Sequence, residues 1–377
     1  MNGLDIEPGE WTCGSTDTLK LSLALPDKLL KFQPLFTYPI FGESEQIFGY
    51  KGLSIDLAFD CKSLKTLLVV KYKEKLSKDV KNIEDIMSKF LNKGDYIINS
   101  ESKWIESIEN EEKERGFELP SDNVVHEYER DGKKYKVYKF EDLYNEESIG
   151  HKLLKRSQIF TLLFIEGGSY IDLKDKRWGG YFIYESNDDD EKDVFIGFVT
   201  YYKYWKFINS KEFDNNTEGY PYRGRISQIV ILPPFQGKGH GIEIYKIITN
   251  EWIKDFKCYE ITIEDPNEAM DEIRDRVDLQ RLMDGNSGES LKLTKRQNDR
   301  IMEMMELRKG GENSKELKKM IFTRVYRNHA DSLIEMKLSI DDIRSKLEEV
   351  YGKVVEGYQI VINQCISSNK RKQNEIM

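Results

Sequence analysis

Apolar and polar positions alternate in short runs between residues 19 and 73. Leu53, Ile55 and Leu57 are separated by Ser54 and Asp56, and residues 67–71 form a compact apolar run. A period of two predicts strands. Residues 73–117 are charge-dense and predict helix and linker, with 106–115 a solvated helix face or a loop. Strand-like runs return at 160–165, 181–184, 194–201, 226–232 and 259–263, with two amphipathic helices late in this stretch. One helix follows from Ile242, Tyr245, Ile248, Trp252 and Phe256, spaced by three and four. From about residue 290 the chain reads as helical and highly charged. Ser339 with Asp342 is a helix start signal, after which Ile343, Leu347, Val350, Val354 and Tyr358 recur. No internal repeat is visible. The pattern predicts a mixed α/β protein: an N-terminal α/β domain over residues 1–117, a central domain over 118–285 and a helical C-terminal domain over 286–377.

Composition narrows the class. The 377 residues, 39% hydrophobic and 33% charged, are enough for two or three domains with a sizeable core and fit a soluble globular chain. No run approaches the roughly 18 apolar residues of a membrane span. The first ten residues lack a basic start and apolar stretch, so no signal peptide is expected and a cytoplasmic and nuclear location is. Cys13, Cys61, Cys258 and Cys365 are scattered without a CxxC pair, and the four histidines are equally dispersed. Neither a metal site nor a disulfide framework is expected. A net charge of -9 argues against direct nucleic-acid binding and favours basic partners, although solubility alone accounts for mild acidity. The acidic run Asp188, Asp189, Asp190, Glu191 reads as a solvated turn. Lys370-Arg371-Lys372 reads as a frayed basic terminus rather than a nuclear signal.

Most of the chemistry falls between about residues 124 and 283. A buried-looking strand is stopped by Pro233-Pro234, and Phe235 leads into Gln236-Gly237-Lys238-Gly239-His240-Gly241 and the helix opening at Ile242. Strand, glycine loop and helix point free backbone N–H groups at a phosphate, and glycines allow close approach of the anion. Lys238 adds a charge or is simply solvent-exposed. A Walker loop is excluded because no Gly-Lys-Ser/Thr ends the segment. A dinucleotide fingerprint is excluded because Ile242 stands where its third glycine belongs. What is left is Gln-x-x-Gly-x-Gly. His240 reads as a steric or capping residue, since no Ser-His-Asp or Cys-His set can be assembled, and Cys258 as a small buried residue.

That hexamer, preceded by Ile229-Val230-Ile231-Leu232-Pro233-Pro234-Phe235, resembles the pyrophosphate loop of the GNAT acetyltransferase superfamily. Longer strings resemble the type B histone acetyltransferase catalytic subunit: Phe36-Thr37-Tyr38-Pro39-Ile40-Phe41-Gly42-Glu43, Ile47-Phe48-Gly49-Tyr50-Lys51-Gly52-Leu53 and Ile263-Glu264-Asp265-Pro266-Asn267. The resemblance is close to about residue 283 and weaker beyond. It implies a GNAT fold on a strongly bent mixed sheet in the central domain and acetyl-CoA as cofactor. It also implies acetylation of lysines in the tail of free, newly made histone four. The expected partners are that histone with its partner histone, and a WD-repeat β-propeller chaperone.

Acetyl transfer to lysine needs a base, because an amine of pKa ~10.4 is nearly all protonated at neutral pH. Glu264, ending the strand-like run 259–263, is the best candidate, and Glu166, expected at the end of a strand over 160–165, the second. Asp265 before Pro266 reads equally as a helix N-cap or a chemical group. The resemblance places all three around the substrate lysine, with Glu264 as base. Ile229, Val230 and Ile231 read as core side chains. By the resemblance their backbone holds the pantetheine arm, and Asn267 and Arg276 contact CoA. Arg276 reads equally as an ion pair with Asp275 or Glu272. Glu43, Ser44, Glu45, Trp178, Tyr202, Lys203 and Tyr204 are the acidic and aromatic set that the resemblance assigns to the histone tail. Composition alone makes such aromatics more often core. The rival readings are a GNAT enzyme acting on a small amine or another protein, and a non-catalytic CoA-binding module.

Overall fold

The computed structural model describes residues 7–186, 192–214, 219–285 and 291–376. The chain divides into two compact units, one of residues 1–203 with 226–240 and one of residues 204–225 with 241–377.

The first unit opens with a five-stranded sheet. Its strands are β1 (Leu19–Ala24), β2 (Leu29–Phe32), β3 (Ser54–Asp60), β4 (Thr66–Lys71) and β5 (Tyr96–Ile98), in the order β2-β1-β3-β4-β5. The pairs β1–β3 and β4–β5 are parallel, the others antiparallel. The predicted alternation is visible in β3, where Ile55, Leu57 and Phe59 are fully buried. Helix α1 (Glu101–Lys113) packs Trp104 and Ile108 on Leu67. The edge strand β5 lies in the charge-dense stretch that predicted only helix and linker.

A second sheet in this unit begins with a hairpin, β6 (Val124–Arg130) and β7 (Lys133–Phe140). Its two-residue turn, Asp131-Gly132, has φ of 51° and 73°, as a tight hairpin turn requires. The helices α2 (Ile149–Ser157) and α3 (Ile159–Phe164) follow, then β8 (Trp178–Ser186), β9 (Val194–Trp205) and β10 (Tyr222–Ile231). Strands β6-β7-β8-β9 are consecutive neighbours, and residues 226–231 of β10 adjoin β9. Buried Arg156 of α2 donates through Nη1 and Nη2 to Glu111, Asp95 and the carbonyl of Ser63, while its Nε has no hydrogen-bond partner among the described residues.

The expected strand at 160–165 is α3. Ile159, Phe160, Thr161, Leu162 and Leu163 are all buried, and a short apolar run buried all round has no period to separate helix from strand. The acidic residues 188–191 lie outside the described residues.

In the second unit, residues 222–225 of β10 adjoin β11 (Cys258–Ile263), with Thr262 donating to the carbonyl of Gly224 at 3.3 Å. Helix α4 (His240–Lys254) lays Trp252 on Gly224, where a Cβ would meet the indole at 2.6 Å. Tyr245 and Trp252 are buried as predicted, but Phe256 falls beyond the helix and is 83% exposed. Helix α5 (Glu268–Met283) is tied to α4 by Tyr245, which donates to buried Asp278 at 2.9 Å.

Three long helices follow: α6 (Lys295–Gly310), α7 (Lys315–Glu335) and α8 (Ile340–Ile376). Leu279, Ile301, Met304, Leu317, Ile321, Tyr358 and Ile362 form their common core with α5. Inside it, Glu303 accepts three bonds from Arg324 and one from Tyr358 at 2.7 Å, and Arg300 pairs with buried Asp275. The Ser339 hydroxyl accepts from the N–H of Asp342 at 3.1 Å, and its own N–H and hydroxyl bond the Asp342 carboxylate. This reciprocal cap starts α8 where predicted. The side chains of 370–372 lie outside the described residues. No described helix is long and apolar enough to cross a membrane.

Candidate functional site

The glycine loop follows β10 through a single turn of 3-10 helix, Pro233–Phe235, and runs into α4. Gly237 and Gly239 have φ of 73° and 81°, the left-handed region where other residues are strained. Open space surrounds Gly237 where a Cβ would project, whereas at Gly239 a Cβ would collide with the guanidinium of Arg130. Gln236 donates its side-chain amide to the carbonyl of Ile231 at 2.8 Å, and Lys238 its ammonium to that of Pro234 at 3.1 Å, so both side chains fold back on the turn. Among the described residues no acceptor takes the N–H groups of Gly237, Lys238 or Gly239. A turn with glycine freedom, unclaimed donors and a helix start fits a diphosphate.

His240 is 1% exposed. Its Nδ1 bonds the Tyr128 hydroxyl at 2.8 Å, and the Tyr135 ring meets it edge-on at 4.6 Å. Burial, with Arg130 and Lys238 nearby, pushes the imidazole down to about 4. The ring is therefore neutral and packed between these tyrosines.

On β10, Arg225, Ser227, Ile229 and Ile231 share a half-buried face, while Ile226, Gln228 and Val230 are buried. Only Val230 of the three expected core side chains is therefore core. The β10 backbone comes so close to β9 that a Cβ on Gly197 would strike the carbonyl of Val230.

Glu264 follows β11 and pairs with Arg225 at 3.0 Å, and the Arg225 guanidinium lies 4.7 Å from the ring of Tyr204. One arginine thus joins the candidate base to a candidate peptide residue. Asp265 is exposed with φ of 35° and is not the helix cap. Asn267 is, its side chain accepting from Met270 N–H at 2.9 Å. The bend at Asp265 postpones the helix by two residues. Of the two acids suggested for Arg276, Asp275 is bonded by Arg300 and Glu272 by Gln364 at 2.8 Å. Gly241 and Ile242 form the first turn of α4, both half-buried.

Glu166 is exposed in the turn after α3, not at a strand end. That turn is held from two sides. Gly167 N–H donates to the Tyr38 hydroxyl at 2.6 Å, and buried Gln228 donates to the Ser169 carbonyl at 2.7 Å. Tyr38 also brings in the acidic loop, because its N–H and that of Thr37 donate to one carboxylate oxygen of Glu45, at 3.0 and 2.5 Å. These bonds, the Thr37 N–H foremost, hold Glu45 below the usual glutamate range. Glu43 and Ser44 are exposed at the tip of the loop.

Trp178 and Tyr202 stand opposite each other on β8 and β9 with rings 4.8 Å apart. The Tyr202 hydroxyl donates to Asp175 at 2.9 Å, and Lys203 donates to Glu141 at 2.8 Å. Cys258 is buried, and burial raises its thiol, which suits packing and not nucleophilic attack. No group of three His, Cys, Asp or Glu among the described residues could hold a metal ion.

Tyr128, Arg130 and Arg225 join the site without a sequence signal singled out for them, and Tyr38 and Gln228 stand in the resembling stretches without a role. Asp131-Gly132 between two strand-like runs was the available signal for the hairpin carrying Tyr128 and Arg130. Arg225 is half-buried between Gly224 and Ile226, both buried, at the head of β10, and a basic residue ahead of the apolar run was the available signal for a charged group with a partner.

Residues 11–166 match the family described as the histone acetyl transferase HAT1 N-terminus, and residues 139–272 match the acetyltransferase (GNAT) family. The histone acetyltransferase type B catalytic subunit of Kluyveromyces lactis is 36% identical over 381 residues, covering 96% of this chain and 94% of the relative. That of Eremothecium gossypii is 36% identical over 387 residues, covering 98% and 95%. That of Candida albicans is 35% identical over 401 residues, covering 98% and 94%. Near-full-length likeness extends through the helical C-terminal region, and the GNAT match covers the strand, glycine loop and helix described above: the chain belongs to the type B histone acetyltransferase catalytic subunits, with a GNAT acetyltransferase domain.

Proposed function

We propose that this acetyltransferase moves the acetyl group of acetyl-CoA to lysines in the N-terminal tail of free histone four, by direct attack with Glu264 as general base. The observation that carries the reading is the glycine loop: two left-handed glycines, unclaimed N–H donors and the start of α4. Gln236, Gly237, Lys238, Gly239, His240, Gly241 and Ile242 would hold the pyrophosphate, and the backbone of Ile229, Val230 and Ile231 the pantetheine arm. Asn267 and Arg276 would complete the cofactor set. The cofactor supplies a thioester whose acyl carbon is open to attack and whose sulfur departs as the thiol.

Glu264 takes a proton from the lysine ammonium, directly or through water, and frees the nitrogen lone pair. A C–N bond forms and the C–S bond breaks; nitrogen gives up a second proton, which balances the one gained by sulfur, and the proton first taken by Glu264 passes to solvent. Arg225 holds the carboxylate in place. A backbone N–H of residues 229–231 can polarise the thioester carbonyl. Glu166 and Asp265 supply further negative charge for the ammonium.

Glu43, Ser44, Glu45, Trp178, Tyr202, Lys203 and Tyr204 would receive the tail, with Glu43 the acid not engaged by the loop's own backbone. Residues 1–117 would bind histone, 118–285 the cofactor, and 286–377 would brace the second. The partner histone and a WD-repeat β-propeller chaperone would assemble with the chain, in the cytoplasm and nucleus.

The test is mass spectrometry of free core histones incubated with the purified protein and acetyl-CoA, beside a Glu264→Gln control. The expected result is acetylation of histone four tail lysines, reduced by at least a hundredfold in the control. Acetylation of other amines only would move the substrate, and full activity in the control would remove Glu264 as base.

A further inference from the structure

We propose that the β6–β7 hairpin is a clamp on the glycine loop and that Arg130 is a positioning residue for the cofactor. The inference rests on the reading of that loop as the pyrophosphate cradle and deepens it.

Tyr128 and Arg130 are two residues apart on β6 and so point to one side of it. They engage loop residues that are also two apart. Arg130 Nη1 donates to the Lys238 carbonyl at 2.6 Å, and the Tyr128 hydroxyl bonds His240 Nδ1 at 2.8 Å. Tyr135, on the partner strand, stacks on Tyr128 at 5.0 Å and closes against the His240 ring at 4.6 Å.

The Lys238 carbonyl and the Gly239 N–H belong to one planar trans peptide and point in opposite directions. By holding the carbonyl, Arg130 turns the Gly239 N–H away from the hairpin. Lys238 stands between two glycines with φ of 73° and 81°, so without an anchor this peptide can rotate at small cost. The guanidinium also fills the space over Gly239 that a side chain would need. Arg130 therefore makes the donor direction permanent before any anion arrives, which is preorganisation and lowers the cost of binding. The hairpin turn, Asp131-Gly132, is two residues long, a short, stiff support for such a clamp.

The experiment uses the full-length protein with Arg130→Met, Arg130→Lys and Tyr128→Phe. CoA binding is measured by calorimetry, and the amide resonances of residues 236–241 are followed by NMR without CoA. For Arg130→Met the expected result is about tenfold weaker CoA binding, ~1.4 kcal/mol, and conformational-exchange broadening at Gly239 as its peptide rotates. The KM for acetyl-CoA rises by a similar factor, while kcat at saturation and the KM for histone stay within about twofold. Arg130→Lys, which can still donate to the carbonyl, recovers part of the loss. CoA and 3′-dephospho-CoA lose affinity equally, because the effect passes through the loop. If Arg130→Met does not fold, Tyr128→Phe carries the test, with about threefold weaker CoA binding expected.

Wild-type CoA affinity and exchange in the variants would overturn the clamp. A loss confined to CoA, with dephospho-CoA unaffected, would overturn positioning in favour of direct contact with the 3′-phosphate. Failure of the wild-type protein to bind CoA would instead overturn the reading of the loop.

Discussion

Arg225 holds Glu264 by an ion pair of 3.0 Å while its guanidinium lies 4.7 Å from the ring of Tyr204. Arginine suits this position because its plane can meet a ring face and a carboxylate together, which a lysine ammonium cannot do with the same geometry. Arg225→Lys is expected to lower the single-turnover rate of acetyl transfer about tenfold and leave CoA affinity within twofold. Arg225→Met should lose more, approaching the ~10²-fold or greater loss expected for Glu264→Gln. Equal rates in Arg225→Lys and wild type would show that the stack on Tyr204 has no part in placing the base.

Gly237 and Gly239 differ in a way that two alanine variants expose. Both have positive φ, and each alanine incurs about 1–3 kcal/mol of backbone strain. Only at Gly239 would the new methyl collide with Arg130. Gly239→Ala is expected to weaken CoA binding by at least ~tenfold more than Gly237→Ala by calorimetry. A larger effect at Gly237 would place the anion over that residue and not over the clamp.

His240 predicts an acid-sensitive stability. Burial lowers its pKa from 6.5 to about 4, so the unfolded chain takes up the proton first as pH falls. The contribution is complete above pH 6.5 and is lost between 6.5 and 4. At about 1.4 kcal/mol per unit, wild type should lose ~2 kcal/mol more than His240→Gln between pH 7.5 and pH 5. Urea denaturation at the two pH values measures this, and parallel losses would mean the imidazole is not buried in solution.

Glu43 and Glu45 are two residues apart and predicted to behave differently. Glu45 accepts the N–H groups of Thr37 and Tyr38, so Glu45→Gln should lower the melting temperature. Its depressed pKa means that this support is present above about pH 4.5 and fades as pH falls below it. Glu43 is exposed, and Glu43→Lys should leave melting unchanged while weakening a basic tail peptide severalfold in fluorescence anisotropy. Unchanged peptide affinity would take the loop tip out of the tail site.

Legibility followed the physics of each segment. The glycine loop was readable because prolines, glycines and the three-and-four spacing of α4 each constrain the backbone independently and agree. The alternation in β3 and the Ser339–Asp342 cap were readable for the same reason. Helix α3 was not, since Ile159 to Leu163 are buried on every side and erase the helical period. Asp265 before Pro266 reads equally as a cap or a chemical group, and its left-handed φ shifts the cap to Asn267. The pairing of Arg225 with Glu264 and the reach of Arg130 to Lys238 join residues 39 and 108 positions apart, and no local pattern encodes such a meeting.

Asp275, Arg300, Glu303, Arg324 and Tyr358 couple all four helices from α5 to α8 through interior charge. Removing an arginine strands buried Asp275 or Glu303 without its cation, at about 3–5 kcal/mol for a broken buried pair. Arg276 directly follows Asp275, and Asn267 opens the same helix. The terminal helices are therefore a handle on α5, and whatever takes hold of them from outside pulls on the helix that carries two of the cofactor candidates.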